Sequence, residues 1–333
     1  MRKLASIQRI KNIEPIVGAD SIEKATLLGW QLVIRKGEFA IGDLCVYCEI
    51  DSVMPDKPEF EFVKTRSNRI KTVRLRGQIS QGICFPLNIL PEGVNVEEGL
   101  DVTEVIGVTK YEPPIPANLA GTVLGGFPSF MPKTDETRVQ VLQEVLNEHE
   151  GLSCYVTEKL DGSSATFYFN EGVFGVCSRN LELAFTESNS MWRFAQENKL
   201  EEKLKALNRN ICLQGEIIGE GIQKNKYKLG GQVVYFFNAF NIDEYRYFSR
   251  SEFGELLESL RLKMVPVVDE AYKLENSIER LVEKSKMKSA LNNDTIAEGI
   301  VIRPVDEMIE KNVLQGRFSF KVINPDFLIK YDE

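Results

Sequence analysis

A chain of 333 residues with 43% hydrophobic and 27% charged residues has the make-up of a globular protein with room for two cores. No apolar run reaches the ~20 residues of a membrane-spanning helix, and Met1-Arg2-Lys3-Leu4 leads into no signal-peptide core, so a cytoplasmic protein without a membrane partner is expected. The net charge of −8 removes any global attraction to nucleic acid and leaves binding to a local basic groove.

The six cysteines (45, 48, 84, 154, 177 and 212) and the single histidine exclude further classes. Cys45-Val46-Tyr47-Cys48 lies in a strand-like run, where its two sulfurs point to opposite faces, and no second Cys pair follows. Zinc, dithiol and Ser-His-Asp or Cys-His chemistry are therefore disfavoured, and buried free thiols are expected. His149, between Glu148 and Glu150, reads as a solvated helix end.

Residues 1–103 form a series of short aliphatic strands divided by Gly, Asp and Pro turns, the pattern of a small β-barrel. Within it Lys64, Arg66, Arg69, Lys71, Arg74 and Arg76 fall in thirteen residues without an acid. In an acidic chain this cluster reads as a phosphate-tracking surface, against the alternative of a solvated edge strand. Residues 104–133, rich in Pro and Gly, read as a connection to a second domain over 134–333. A helix is expected from Thr134 or Asp135, with Val139, Val141, Leu142, Val145 and Leu146 on its apolar face. Beyond it, strands dominate, with helices over residues 190–207, 251–260 and 277–290, giving an α+β domain built on antiparallel sheet.

That second domain carries Tyr155-Val156-Thr157-Glu158-Lys159-Leu160-Asp161-Gly162, a Lys-x-Asp-Gly element between two β-favouring runs. A lysine at such a strand end can be desolvated, which favours its neutral, nucleophilic amine. Arg179 follows another strand. Glu216 and Lys321 sit inside very apolar strands, and Glu298 stands at the mouth of a third. A charge there is costly unless paired, and the arrangement repeats three times. Asp161, Glu216 and Glu298 would make an oxygen-rich site for Mg²⁺ or Mn²⁺, and neighbouring cations would neutralise phosphate. A metal, cations and a nucleophilic lysine together suit nucleotidyl transfer.

The order Lys159-Leu-Asp-Gly, Arg179, Glu216, Phe240, Glu298 and Lys321 resembles that of the covalent nucleotidyltransferases, which include RNA ligases, DNA ligases and mRNA capping enzymes. Glu158 before the lysine, Gly215-Glu216 followed by Gly221-Ile222-Gln223-Lys224-Asn225, and Phe237-Asn238-Ala239-Phe240-Asn241-Ile242 are similar to the RNA ligases. Arg74-Leu75-Arg76-Gly77-Gln78-Ile79-Ser80-Gln81-Gly82 resembles the leading OB domain of the Naegleria and Deinococcus type, as does the stretch from Phe127 to Arg138. The resemblance implies an OB-like β-barrel followed by an ATP-grasp-like adenylyltransferase domain, acting on RNA 3′-OH and 5′-phosphate ends or a nicked duplex, in RNA repair, as a monomer. It implies that Lys159 takes AMP from ATP, with Lys321 and Arg179 as further catalytic groups. Glu158, Phe240, Arg138, Glu216 and Lys321 would bind the nucleotide, and Asp161, Glu216 and Glu298 the metal. Lys64, Arg66, Arg69, Arg74 and Arg76 would meet RNA.

In one respect the chain departs from the pattern. Many ligases have Lys-x-Lys in the last motif, whereas Lys321-Val322-Ile323 keeps only the first lysine. DNA ligases and capping enzymes, the nearest alternatives, usually carry their OB domain after the catalytic one. A non-catalytic OB-containing binding protein is the alternative from another class.

Overall fold

The computed structural model describes residues 2–64, 68–112, 115, 117–313 and 316–332. The N-terminal lobe is built mainly from short strands. Ala5–Arg9, Leu44–Cys48 and Ile83–Phe85 form one sheet, Asn12–Pro15, Ile22–Leu27 and Trp30–Arg35 a second, and Thr72–Leu75 with Gln78–Gln81 a hairpin. Alternation along Trp30–Arg35 buries Trp30, Leu32 and Ile34 and half-exposes the residues between them, as a pleated strand over one core requires. All six cysteines are buried free thiols, and Cys45 Sγ lies 3.3 Å from Cys84 Sγ.

The second lobe rests on two sheets. The larger has seven strands in the order Thr122–Gly126, Leu181–Ala184, Val173–Cys177, Ser163–Asn170, Ile211–Gly219, Gln232–Asn241, Arg246–Tyr247. The smaller has five, in the order Thr137–Arg138, Phe320–Ile323, Gly299–Pro304, Ser153–Lys159, Val267–Lys273. All but one of the strand pairs in these two sheets are antiparallel; Thr137–Arg138 runs parallel to Phe320–Ile323. Each sheet packs helices over one face. Ser190–Glu197, Leu200–Ala206 and Arg250–Leu260 cover the apolar face holding Phe167, Leu213 and Phe236, while Gln143–Glu148 and Ile278–Ser285 cover that of Val156, Ile300 and Val322. The period of two then sends Gln214 and Glu216 of one sheet, and Thr157, Lys159 and Lys321 of the other, to the opposite, facing sides.

Several expectations change. The stretch 104–133 is not a bare connection, because Thr122–Gly126 forms the edge of the seven-stranded sheet. The helix expected from Thr134 begins at Gln143. Upstream of it, Thr137 and Arg138 pair with Phe320 and Lys321, while Arg303 and Ser319 hold the Glu136 carboxylate (2.8 Å each), so tertiary pairing overrides local propensity. The helix expected over 190–207 is two, broken at Lys199, which adopts a left-handed φ of 51°. His149 is half-buried rather than solvated at the surface. Its Nε2 meets Glu310 Oε2 at 3.0 Å, and its ring stands edge-on to Phe318.

The C-terminal helix Pro325–Tyr331 was not anticipated. Asn324 caps it by accepting the Asp326 N–H at 3.0 Å, and Pro325 occupies its first turn. Its apolar face belongs to the other lobe, since Ile323, Phe327 and Leu328 lie in the same core as Trp30, Tyr47 and Phe85. On its outer side Arg74 pairs with Asp326 (2.8 Å) and Lys71 with Asp332 (2.6 Å). Burial rather than these exposed ion pairs fixes the helix. Phe327→Ala is expected to cost about 3–5 kcal/mol, against less than about 1 for Arg74→Ala, read from urea unfolding midpoints.

Candidate active site

Lys159 ends the strand Ser153–Lys159, in register with Gly299, so that Glu298 on the adjoining strand entry meets its ammonium at 2.6 Å. A Cβ at residue 299 would collide with the carbonyl oxygen of Val322, which explains glycine after Glu298. The turn Asp161-Gly162 brings the chain to the larger sheet. There Ser164 is opposite Glu216, and Glu216 Oε1 accepts the Gly162 N–H at 3.1 Å. Residue 162 also needs glycine, since a Cβ would strike the Ile217 carbonyl oxygen. Lys321 is two rungs away across Val301, in register with Arg138 on its far side.

The electrostatics correct one expectation. Burial works to lower the Lys159 pKa, but Glu298, Glu216 and Asp161 outweigh it and hold the amine above its ordinary value. At rest the Lys159 side chain is therefore an ammonium. Glu216 is pushed up to about 8, first by burial and then by Glu298 and Asp161, against the pull of Lys159. Lys321 is pushed down to about 7 by burial and by Arg138, Lys159 and Arg2. Acids and cations thus both act on this site, the acids dominating at Lys159 and burial with the cations at Lys321.

Asp161 pairs with Lys226, and its N–H donates to Tyr227 Oη at 2.7 Å. Asp161, Glu216 and Glu298 surround Lys159, yet they do not close into one inner coordination shell. Among the described residues, the trio whose ligand atoms all lie within 4.8 Å of one another is Glu148, His149 and Glu310. An oxygen set of wider spacing suits a hard ion that keeps part of its water shell. Arg179 is committed to Asp135, whose carboxyl it holds below the ordinary range despite burial.

Glu158 is 1% exposed. Its Oε2 accepts the Ala290 N–H (2.9 Å), and its Oε1 is buried without a hydrogen-bond partner. Phe240 is not beside it. A bulge in the strand Gln232–Asn241 displaces Phe237, and Phe240 lies further along in a cluster with Met131, Tyr168 and Cys212, walled in by Tyr245 and Tyr247. Half-buried Phe237 and Tyr235 instead pack with Leu160 and Ile218, next to the lysine turn. The extra residue of the bulge is not visible to a count along the strand.

Arg138 is anchored by the N-terminal lobe. Asp51, at a left-handed φ of 71°, receives Arg138 (3.2 Å), Arg69 (2.8 Å) and Arg2 (3.4 Å), and its carboxyl is held well below the usual range. Arg138 still has Nε and Nη1 buried without partners. Sequence reasoning missed Asp51, Arg2 and Lys226 because a pairing across lobes leaves no local pattern. The basic cluster divides: Arg69 serves Asp51 and stacks on Tyr111, Arg74 holds Asp326, and Arg76 is exposed on its turn. Lys64 lies in the helical turn Glu61–Lys64, and Arg66 is outside the described residues. A cavity of about 460 Å³ between Phe174, Phe185 and Trp192 is lined by none of these groups.

A lysine at a strand end, paired with one acid and near two more, with further cations nearby, between two largely antiparallel sheets that follow a β-barrel, is the arrangement of a covalent nucleotidyltransferase. The family comparison gives an OB-fold domain over residues 4–87 and an RNA ligase over residues 152–323. The chain belongs to the RNA ligase family. Solved structures of Naegleria gruberi RNA ligase are similar over the whole length. A mutant form with ATP and Mn has 41% identity and a TM-score of 0.92, covering 100% of both chains. The form with PPi has 42% identity and a TM-score of 0.92, covering 100% of this chain and 99% of that one. A mutant with AMP and Mn has 42% identity and a TM-score of 0.91, covering 98% of each. Comparison with curated proteins found no match. No helix among the described residues is long and apolar enough to cross a membrane.

Glu216 has a measurable consequence in metal-free buffer. Its folded pKa lies above its ordinary value of 4.5, so the folded state binds the extra proton between about pH 4.5 and 8. The stability this confers is present below that window and is lost as pH rises through about 8. In EDTA the melting temperature of the wild type should fall relative to Glu216→Gln between pH 5 and 9; parallel curves would contradict the assignment.

Proposed function

We propose that this RNA ligase uses ATP and a divalent metal to seal RNA 3′-OH and 5′-phosphate ends through a lysine–AMP adduct on Lys159. The observation that carries the reading is the Lys159 ammonium held by Glu298 at 2.6 Å at the end of its strand, with Glu216 and Asp161 acting on it and Lys321, in register with Arg138, two rungs away. The donor sets fit the groups they would hold. Buried, unpartnered Glu158 Oε1 is an acceptor for the adenine amino group, and half-buried Phe237, rather than Phe240, has the place to stack on the base. The unpartnered donors of Arg138 face phosphate chemistry, and Arg138 supplies the second cation that Ile323 cannot.

A Mg²⁺ or Mn²⁺ ion bound by Glu216 and Glu298, with Asp161 near, would neutralise the acids and stabilise phosphate charge. Glu298, in contact with the ammonium, is placed to take the proton that Lys159 must lose before attack. The freed amine displaces pyrophosphate from the α-phosphorus, forming a P–N bond as the P–O bond breaks. Lys321 and Arg138 stabilise the charge that builds on the phosphates. AMP then passes to an RNA 5′-phosphate, and a 3′-OH displaces it. Arg179, with Asp135 beside it, serves the RNA end.

The decisive assay is incubation with α-labelled ATP or GTP and Mg²⁺ or Mn²⁺, resolved on denaturing gels. Covalent label from ATP is expected, with none from GTP, whose O6 would meet the Glu158 acceptor without a proton to offer. Lys159→Ala should remove it entirely. Label from GTP would transfer the protein to capping chemistry, and no label with RNA binding intact would leave a binding protein. Exposed Arg76 meets the RNA backbone, so Arg76→Ala should weaken nicked-duplex binding and lower the salt slope by about 1. An unchanged slope in gel-shift titrations would remove this residue from the interface.

A further inference from the structure

Lys226 is a buried cation that the reaction scheme above leaves without a role. Its side chain is 5% exposed, its ammonium pairs with Asp161, and its backbone carbonyl accepts the Thr295 hydroxyl at 2.8 Å. The ammonium lies over two aromatic rings, Phe327 at 4.8 Å and Tyr331 at 4.6 Å. Such rings favour a cation while shielding it from water, so they hold the ammonium at a fixed point. The loop that delivers it is strained. Gln223, Lys224 and Asn225 have φ values of 43°, 58° and 46°, a left-handed run without glycine, which persists only where surrounding contacts over-determine it.

Both rings belong to the C-terminal helix, whose apolar side is seated in the core of the N-terminal lobe. A continuous chain of contacts therefore runs from that core through Phe327 and Tyr331 to Lys226 and on to Asp161, two residues from the nucleophile. We propose that Lys226 is a positioning residue for adenylylation. Clamped by Phe327 and Tyr331, it aims the Asp161 carboxylate and limits its charge, so that the C-terminal helix sets the geometry of the Lys159 site. The inference rests on the lysine–AMP reading given above.

The test combines single-turnover adduct formation from α-labelled ATP with Mn²⁺ binding to the ATP-free protein, followed by the EPR signal of free Mn²⁺. In Lys226→Met, adduct formation at saturating ATP should slow by about tenfold to a hundredfold, as expected of a displaced reacting group, with little change in the KM for ATP. The same variant should bind Mn²⁺ about threefold more tightly, because a cation competing for Asp161 has gone. A purely structural lesion would weaken both. Lys226→Arg should recover most of the rate. Tyr331→Leu should slow adduct formation but add nothing to Lys226→Met, since the two act through one element.

A Lys226→Met protein that forms the adduct at the wild-type rate overturns the proposal. So does one whose slower reaction comes with weaker Mn²⁺ binding and is not rescued by arginine. If the wild type forms no adduct at all, the lysine–AMP reading fails and this inference falls with it, a result distinct from either of those.

Discussion

The rest of the site depends on one balance of charge. Lys159 stands between acids that cannot leave and cations that cannot approach one another freely. Burial works to lower the pKa of its amine, but Glu298 at 2.6 Å, with Glu216 and Asp161, reverses the sign. Burial, with the neighbouring acids Glu298 and Asp161, raises the Glu216 pKa, and burial, with the neighbouring cations Arg138, Lys159 and Arg2, lowers that of Lys321. Both shifts leave room for two further charges. A divalent ion would relieve the acids, and the phosphates of a nucleotide would relieve Lys321 and Arg138. Relief of the acids would also loosen their hold on the Lys159 proton.

The cations are not supplied by the catalytic lobe alone. Asp51 of the barrel gathers Arg2, Arg69 and Arg138, and Gly29 N–H bonds the Gln140 carbonyl at 2.8 Å beside them. The barrel therefore anchors an arginine that keeps two buried donors, Nε and Nη1, without partners. On the opposite edge the C-terminal helix inserts Phe327 and Leu328 into the barrel core. Its exposed contacts, Arg74–Asp326 and Lys71–Asp332, add charge complementarity but little energy, since water screens such pairs. The two lobes are joined by buried apolar area and by one buried charge cluster.

The missing second lysine of the last motif has a packing explanation. Ile323 occupies that position and lies in the barrel core with Phe327 and Leu328, where an ammonium would be desolvated without a partner. Arg138, in register with Lys321 across the parallel strand pair, offers positive charge from the neighbouring strand instead. The same reasoning separates Phe237 from Phe240. Both are aromatic residues of one strand, but a bulge leaves the first half-exposed near Leu160 and the second enclosed by tyrosines.

Much was legible from the order of residues alone. The β-rich first lobe, the antiparallel second lobe, and the charged residues Lys159, Glu216, Glu298 and Lys321 in apolar strands all follow from period-two patterning and the cost of burying charge. Even the unforeseen C-terminal helix had its signal in Asn324-Pro325-Asp326, a cap and first turn, though seven residues offered too short a period to read. What the sequence could not give was whatever arises between segments far apart in the chain. The sign of the Lys159 shift depends on Glu298, 139 residues away. The partner of Asp161 is Lys226, and the anchor of Arg138 is Asp51. Local pattern fixes which side of a strand a residue faces. Only packing decides which charge stands across from it, and at a few ångströms in a dry interior that neighbour determines whether a group is an acid, a base or a clamp.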